Sequence, residues 1–451
     1  MQRETHPFEF LNLVAHICTK FKMELLFEDI SFPPNSNSLL FKKDSSQFVE
    51  PSKIIWKRPH EIAKNPSLFG ISIASEPTQG ILGNCWMVAP LYSLQKKMEL
   101  LKRLFVNFSS FGDPLYCGKC ICLLWDETSG SMVEILIDDK LPTIDGKLIM
   151  GACKHSSEFW WPLLEKACAK LYGCYEALTS GLASEGFMLF TAGYCWRKEL
   201  SLKNSAQFTE TKQQIVKSLD GSLYVHLFVC FSAPICSSIT KGHYYVIIGW
   251  KNEQEMDVVQ LWNPWNFESA SNLTLLFNSE FCESKPTITF TTSSLCVLAD
   301  KLVPWFKHEV CGVWHAGKTS GGNRALISFD KNPQYLITMK QHIPGKLYIC
   351  LIQTGKRQFA KRKNLQQALG LHVWNFESKS KRRLSCHFFN TNPAEYSLSP
   401  SYQYMGDVHL FSSYKSNVGS ALIVPSTFEA NISGTFLLRV CSSSETTFMK
   451  L

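Results

Sequence analysis

The sequence has no uninterrupted apolar run of the roughly 18 residues that a membrane-spanning helix needs. Its best candidate, residues 223–235, is shorter and contains His226. Residues 1–7 include an acid and a proline where a secretory signal peptide has a basic flank followed by an apolar stretch. These absences predict a soluble chain that neither spans a membrane nor enters the secretory route.

Positive charge is present, but it forms no long stripe. The formal net charge of +8 is modest for 451 residues, and the two local clusters are residues 361–363 and 381–383. Such clusters are typical of solvated loops, with an acidic partner or an anionic lipid surface as the alternative. No nucleic-acid partner is indicated. With 45% hydrophobic residues, the chain can instead form a large core, and its length predicts several domains.

The 17 cysteines are odd in number and irregularly spaced. A disulfide framework favours even, regular sets in secreted chains, so this pattern predicts a reducing compartment and a cytoplasmic location. Cys117, Cys120 and Cys122 lie close together, but a structural zinc site needs four ligands and no second pair follows at suitable spacing. Cys120 and Cys122 share a strand face with apolar neighbours, so we expect these two to be core thiols.

Hydrophobic periodicity divides the chain into two parts. Helical spacing follows Cys85 and recurs from Phe159 to Tyr175, and strand-like segments become frequent from Leu223 onward. Beyond about residue 302, short alternating segments are separated by turn residues, which is typical of an all-β sandwich. The predicted fold class is α+β followed by an all-β domain. Sandwich strands are expected at residues 335–338, 347–352, 369–374, 421–424 and 435–440.

Four residues together suggest nucleophilic catalysis. Cys85 follows a glycine-rich turn and begins a predicted helix, where the helix dipole favours a thiolate and lowers the thiol pKa. His243 begins one predicted strand, and Asn263 follows the next. A thiolate, an imidazole that takes its proton and an amide that orients the ring form a cysteine-hydrolase set. Gln79 could add a side-chain N–H to an oxyanion hole. Each residue alone is more often structural; the ordered combination is far more specific.

The segments around these residues resemble the calpains, which are calcium-dependent cysteine proteases. The octet 79–86, QGILGNCW, resembles their active-site signature, and Gly242–Tyr245 and Asn263–Trp265 resemble the other two triad segments. Further matches run in order along the chain and cover roughly residues 25–443. They include residues 26–33, 56–62, 159–167, 175–178, 184–187, 312–322, 332–335 and 424–436.

The resemblance implies a two-lobed papain-like cysteine protease core followed by an all-β C2-like sandwich. The implied roles are nucleophile for Cys85, base for His243, orienting group for Asn263 and oxyanion donor for Gln79, with Trp265 shielding the His–Asn pair. Protein substrates would be cut by limited endoproteolysis. The implied domains are a leader at 1–24, a Cys lobe at 25–190, a His/Asn lobe at 191–302, the sandwich at 303–443 and a tail at 444–451.

The resemblance also implies calcium, with departures. Glu76 and Glu158 match the acidic ligands of a first core site, joined by loop carbonyls near residues 69 and 71. At a second site the loop after Asn266 is about twenty residues shorter than in the family, Asn278 replaces an expected aspartate, and only Glu280 keeps a matching carboxylate. Ala74 stands where the family has an inter-lobe arginine. We therefore expect a working first site and a doubtful second one.

Other departures concern activity and partners. Pro90 falls inside the helix that begins at Cys85, where it predicts a kink. No EF-hand loop occurs in this sequence, so a penta-EF-hand small-subunit partner is not implied. A weak anionic-lipid contact through the sandwich is compatible with its basic residues. The alternative to an active protease is a calpain-like scaffold that binds partners without turnover.

Overall fold

The computed structural model describes seventeen segments of the chain, and its described residues form two compact units. Unit 1 comprises Met1–Gly83, Leu94–Leu124 and Glu134–Thr179, and unit 2 comprises Asn84–Ser93, Trp125–Val133 and Ser180–Leu451. Within these ranges the described segments are 26–40, 50–71, 74–201, 209, 212–213, 227–231, 239–254, 256–265, 272–277, 289–296, 306–340, 345–355, 367–375, 382–394, 396–398, 407–414 and 419–451.

The helices are short and lie mostly in the first half of the chain. None in the described segments is long and apolar enough to cross a membrane. The α-helices are α1 Ser36–Leu39, α2 Pro59–Ile62, α3 Cys85–Gln95, α4 Met98–Lys102, α5 Trp160–Tyr172, α6 Ala183–Thr191 and α7 Cys386–Thr391, and 3-10 turns span Pro51–Lys53, Tyr175–Leu178 and Phe329–Lys331.

The strands are mainly in the second half. They are β1 Ile55–Lys57, β2 Pro77–Thr78, β3 Lys119–Asp126, β4 Ser131–Asp138, β5 Leu141–Ile144, β6 Lys147–Leu148, β7 Ala152–Cys153, β8 Tyr194–Ser201, β9 Leu227–Phe231, β10 Tyr244–Glu253, β11 Met256–Trp262, β12 Asn272–Phe277, β13 Thr289–Cys296, β14 Phe306–Trp314, β15 Tyr335–Met339, β16 Gly345–Gln353, β17 Leu369–Asn375, β18 Tyr396–Leu398, β19 Asp407–Tyr414, β20 Ser420–Thr427, β21 Gly434–Ser442 and β22 Thr446–Lys450.

Unit 1 contains α5 and two small sheets, β1-β5-β6 and β2-β7. The amphipathic α5 has buried charges as well as apolar residues: the Lys166 ammonium is fully buried and pairs with the Asp138 carboxylate. A buried ammonium is tolerated when it is paired in this way. The predicted apolar period from Phe159 therefore produces a helix, which ends at Gly173 in a positive-φ conformation.

Unit 2 contains a six-stranded antiparallel sheet in the order β12-β11-β10-β9-β13-β8. Its central hairpin, β10-β11, joins Tyr244–Glu253 to Met256–Trp262 and carries His243 and Asn263 just outside its ends. Val246 pairs with Trp262 in this register, so the residues that flank the two strands lie at the same end of the hairpin.

The β-rich region after residue 306 has two antiparallel sheets, β14-β21-β16-β19 and β18-β17-β20-β15-β22. Alternate residues of both sheets form one apolar core, for example Ile349 and Leu438 from the first and Ile337 and Ile423 from the second. Two sheets that share a core form a β-sandwich. The predicted α+β core followed by a β-rich domain is therefore confirmed.

The five sandwich strands predicted from alternation are all strands, each one to four residues longer than expected. The structure adds α7, which the alternation pattern did not indicate. Residues 444–451, expected as a tail, contain β22, which pairs with β15 in antiparallel register. Alternation finds half-buried strands well, but it misses a six-residue helix that has less than two turns in which to show a period.

Helix α3 continues through Pro90 to Gln95, so the proline does not end the helix. Pro90 has no N–H to donate to the carbonyl oxygen of Trp86, one turn earlier. Gly186 of α6 approaches this place closely: a Cβ added to it would lie 2.5 Å from the Trp86 oxygen and 2.9 Å from Pro90 Cγ. Glycine is therefore required where α6 meets the proline-containing turn.

Candidate active site

Cys85 occupies the first turn of α3 in unit 2. The carbonyl oxygen of Asn84 accepts hydrogen bonds from the N–H groups of Met87 and Val88, which places Asn84 at the helix cap. The Cys85 side chain is nearly buried, with 9% of its surface exposed. The glycine-rich turn and the helix start therefore lie where the sequence predicted them.

The pKa of the Cys85 thiol differs from the sequence expectation. Burial raises it above its ordinary value of 9.0, while backbone N–H groups of Tyr244, Trp86 and Cys85 itself lower it by a smaller amount. The helix-start argument predicted a lowered pKa, and this prediction is wrong for the structure because desolvation of the thiolate outweighs the backbone donors. The thiol keeps its proton.

His243 lies at the start of β10, immediately after Gly242, whose φ of +71° favours glycine. Its imidazole is buried, with 3% exposed, and Nε2 lies 2.8 Å from Oδ1 of Asn263. The backbone N–H of Trp265 also donates to Asn263 Oδ1 at 3.1 Å. Because a backbone N–H can only donate, Oδ1 is the acceptor for both groups, and His243 bears its proton on Nε2.

Burial lowers the pKa of His243 from its ordinary 6.5 to about 4, and the hydrogen bond to Asn263 opposes that shift. At neutral pH the imidazole is therefore uncharged, with Nδ1 as the nitrogen that can accept a proton. A protonated thiol and a neutral imidazole are the two members of a Cys–His pair before proton transfer.

The structure brings the elements that carry these three residues together within unit 2. The N–H of Tyr244, the residue after His243, is one of the backbone groups that lower the pKa of the Cys85 thiol. Farther along α3, Tyr92 stacks on Trp262 at the end of β11, with ring centroids 3.9 Å apart. Helix α3 is thus packed against the hairpin that positions His243 and Asn263.

Gln79 belongs to unit 1 and is described there by itself. Its Nε2 donates to the carbonyl oxygen of Leu82 at 2.6 Å, so this donor is used within its own loop. The adjoining Gly80 is required by close backbone approach, because a Cβ there would lie 2.2 Å from the oxygen of Met150. The predicted tight glycine turn is therefore present.

Two of the predicted calcium ligands lie in unit 1. The buried Glu158 accepts a hydrogen bond through Oε2 from the N–H of Ser75 at 2.9 Å. Glu76, the next residue, pairs through Oε2 with the ammonium of Lys154 at 3.2 Å. Both carboxylates thus lie at one loop region, and that of Glu76 is paired with the Lys154 ammonium. Carboxylate oxygens are ligands that a hard cation such as calcium prefers.

The third predicted ligand, Glu280, lies outside the described residues, as does Asn266 and the shortened loop that follows it. Among the described residues there is no group of three or more His, Cys, Asp or Glu side chains placed to hold a metal ion. A calcium ion at Glu76 and Glu158 would therefore depend on backbone carbonyls for its remaining ligands.

Sequence reasoning missed the supports of this site. The ring of Tyr92 and the close approach of Gly186 fix α3 from two sides, and neither residue was assigned a role. Pro90 was the feature of the sequence that could have indicated this contact. An interior proline leaves the carbonyl oxygen one turn earlier without its helical N–H partner, so a close neighbour is expected beside that turn. Helix α6 was also not predicted from periodicity, although residues 184–187 were noted for their resemblance.

Comparison with known proteins gives the family. The model of the calpain family cysteine protease matches residues 27–272, and the model of calpain large subunit domain III matches residues 310–441. The chain is 30% identical to the calpain-2 catalytic subunit of Homo sapiens over 471 aligned positions. It is 28% identical to the calpain-1 catalytic subunit of Bos taurus over 469. These alignments cover 93% and 92% of this chain, which spans 66% and 65% of those relatives. The chain belongs to the calpain family.

Proposed function

We propose that this protein is a cysteine endopeptidase that cuts protein substrates through Cys85, His243 and Asn263, with calcium promoting its activity. The proposal rests on one observation above all: unit 2 holds Cys85 at the start of α3 and the buried imidazole of His243 paired with Asn263, with Tyr92 of α3 stacked on Trp262 of their hairpin. Membership of a family of cysteine proteases supports it independently.

Asn263 orients the base. Because Oδ1 accepts the Nε2 proton of His243, the imidazole is held in the tautomer whose Nδ1 has no proton. That nitrogen accepts the proton of the Cys85 thiol. The Trp265 N–H holds Oδ1 on its other side, so the amide cannot rotate without losing two hydrogen bonds.

The proton moves as the sulfur attacks. With a raised thiol pKa and an imidazole pKa near 4, a resting thiolate–imidazolium pair is unfavourable. Proton transfer from Sγ to Nδ1 is therefore coupled to formation of the bond between Sγ and the substrate carbonyl carbon. The imidazolium then gives its proton to the leaving amine as the C–N bond breaks. Water, deprotonated by the same imidazole, hydrolyses the thioester.

Gln79 is the proposed side-chain donor of the oxyanion hole, with the N–H of Cys85 as the backbone donor. Its Nε2 is bonded to Leu82 in this structure. The proposal therefore requires the amide of Gln79 to exchange that carbonyl oxygen for the substrate oxyanion.

Glu76 and Glu158 are the residues that would hold calcium, together with loop carbonyls. Bound there, calcium would supply positive charge to both carboxylates. At Glu76 it would replace the Lys154 ammonium, and at Glu158 it would add to the hydrogen bond from the Ser75 N–H. We propose no role as a calcium ligand for Glu280, which lies outside the described residues. The proposed domain ranges and the cytoplasmic location remain those expected from the sequence.

The direct test is cleavage of denatured casein with and without calcium by the wild type and by Cys85→Ala. We expect calcium-stimulated cleavage by the wild type and none by the variant. Cys117→Ala is the matched control, because Cys117 is an exposed thiol in unit 1. Equal cleavage by wild type and Cys85→Ala would refute the proposal.

A scaffold without turnover is the alternative function. The neutral state favoured for both Cys85 and His243 and the engaged amide of Gln79 are the observations that favour it. The absence of any cleavage by the folded wild type at millimolar calcium would support this alternative.

The sandwich has one surface suited to weak contact with anionic lipid. Ile327 is 84% exposed beside Leu326 in the connection between β14 and β15. Arg324 precedes Ile327 in the same connection and donates to the backbone carbonyl of Asn392. Exposed apolar side chains with nearby cations fit an anionic membrane surface. Sedimentation with vesicles should increase with phosphatidylserine content and fall for Ile327→Asp.

A further inference from the structure

We propose that Arg439, on β21 of the sandwich, is a positioning residue for Cys85 and acts through helix α6. This inference rests on the proposed role of Cys85 as nucleophile. All the residues that carry it belong to unit 2.

The guanidinium of Arg439 caps the end of α6. Nη2 donates to the carbonyl oxygen of Ala192 at 2.7 Å and Nη1 to that of Gly193 at 3.1 Å. Nε pairs with Glu309 on β14 at 2.8 Å, and the whole residue is 3% exposed. The carbonyl oxygens at the C-terminal end of a helix have no N–H partner within the helix, so a cationic donor placed there satisfies them. Its positive charge also interacts favourably with the negative end of the helix dipole.

Only an arginine can make this set of contacts. The planar guanidinium directs its two Nη atoms at neighbouring carbonyls while Nε faces Glu309, whereas a lysine ammonium is a single point of contact on a flexible stem. The chain at Ala192 is in the left-handed region, with φ 52°. A left-handed conformation costs free energy in a residue with a Cβ. The hydrogen bonds from Arg439 to the end of α6 therefore help to maintain this conformation at Ala192.

The guanidinium is itself held from another direction. It lies over the ring of Trp125 near the end of β3, 5.1 Å from the centroid. The turn that follows Trp125 also bonds to the sandwich: Glu127 is buried, and its Oε1 accepts from the N–H of Gly355 at 3.1 Å. Arg439 is thus a fixed anchor for α6.

Helix α6 in turn contacts the helix of Cys85. Gly186 lies against the Trp86 carbonyl and Pro90, so that even a methyl group would meet the Trp86 oxygen at 2.5 Å. Trp86 adjoins Cys85 in the first turn of α3. A displacement of α6 along or across its axis would therefore move the first turn of α3, which carries Cys85.

The test measures how fast an epoxide that reacts with activated thiols alkylates Cys85 at saturating calcium, from pH 5 to 9. The variants are Arg439→Lys and Gly186→Ala, the latter acting on the contact between α6 and α3 without touching Arg439. The controls are Arg383→Lys, another guanidinium bonded to backbone carbonyls in the sandwich, and Gly112→Ala, where a Cβ would meet nothing within 4 Å.

We expect Arg439→Lys and Gly186→Ala each to slow alkylation of the folded protein at least tenfold and to shift the pH of half-maximal rate. The double variant should be less impaired than the product of the two effects, because both act through α6. The controls should stay within twofold of the wild type. A merely structural role would lower the unfolding temperature without moving the pH midpoint.

The outcomes separate the two proposals. A wild type whose Cys85 is not alkylated overturns the proposed function and this inference with it. Wild-type alkylation that is unchanged in rate and pH midpoint in folded Arg439→Lys overturns the positioning role alone. If Arg439→Lys fails to fold, Glu309→Gln, which removes the carboxylate that Arg439 Nε faces, is measured in its place, and an unchanged rate and pH midpoint overturn the positioning role in the same way.

Discussion

Trp265 lies over the imidazole of His243, with ring centroids 4.1 Å apart and the planes inclined by 26°. The same residue donates its backbone N–H to Asn263 Oδ1, which also faces the imidazole. One tryptophan therefore covers the ring and fixes the amide that orients it. The burial that lowers the pKa of His243 depends in part on this indole.

Replacing Trp265 with alanine should admit water to the His243–Asn263 hydrogen bond. The imidazole pKa should rise from about 4 toward 6.5, because solvation of the charged form is restored. We expect casein cleavage to fall about tenfold, less than the roughly 100-fold lower end of what general acid–base catalysis contributes, because His243 itself is kept. An NMR titration of the His243 ring reports the pKa. Trp265→Phe, which keeps an aromatic cover, is the control; a His243 pKa that Trp265→Ala leaves unchanged would contradict the account.

A second buried histidine makes stability depend on pH. His372 on β17 is fully buried, which lowers its pKa to about 4, and Arg324 lowers it further. The unfolded chain binds this proton with a pKa near 6.5, so it takes up more protons than the native state between pH 6.5 and 4. Stability therefore falls as pH falls through this window, by about 2 kcal/mol between pH 7 and 5.

His372→Gln, which can keep a hydrogen bond to Ser426, should remove that part of the pH dependence. Urea unfolding at pH 7 and pH 5 measures it. If the two proteins lose the same free energy of unfolding between these pH values, the buried neutral state of His372 is wrong.

Lys154 should compete with calcium for Glu76. An exposed ion pair such as Lys154–Glu76 contributes about 0.5–1 kcal/mol, which calcium must overcome when it binds Glu76. Lys154→Met removes that competition and should lower the calcium concentration at the midpoint about twofold to fivefold. The unfolding temperature as a function of calcium concentration gives the midpoint without relying on activity. Lys340→Met, which breaks the exposed pair with Glu445, is the control. Glu158→Gln should weaken the calcium response strongly, and a response equal to the wild type would remove Glu158 from the site.

Ala192→Gly should stabilise the protein by about 0.5 kcal/mol, because Ala192 occupies the left-handed region at the end of α6. The same substitution at Ala183, inside the first turn of that helix, should destabilise by about 1 kcal/mol. Thermal and urea unfolding compare the two. Destabilisation by both variants alike would show that the strain at Ala192 is negligible.

Much of the fold could be predicted because its patterns are local. Alternation identified the sandwich strands, and the start of α3 followed from a glycine turn before an apolar period. Cys85, His243 and Asn263 could be named because each stands at the boundary of a recognisable element. The structure brings those boundaries together in unit 2.

The remaining features depend on contacts between distant parts of the chain. The raised thiol pKa of Cys85 comes from burial, which its position at a helix start does not reveal. The contact between Arg439 and Ala192 joins residues 247 positions apart, and α6 has too few turns to show a clear period. The ion pair between Lys154 and Glu76 likewise joins residues 78 positions apart.

The measurement that tests the central claim most directly is the intact mass of the purified protein after reaction with a thiol-directed epoxide, with and without millimolar calcium. The account predicts one adduct, mapped to Cys85, that forms with calcium and is lost in His243→Ala. No adduct in either condition, or adducts spread over exposed thiols such as Cys117 and Cys311, would contradict it.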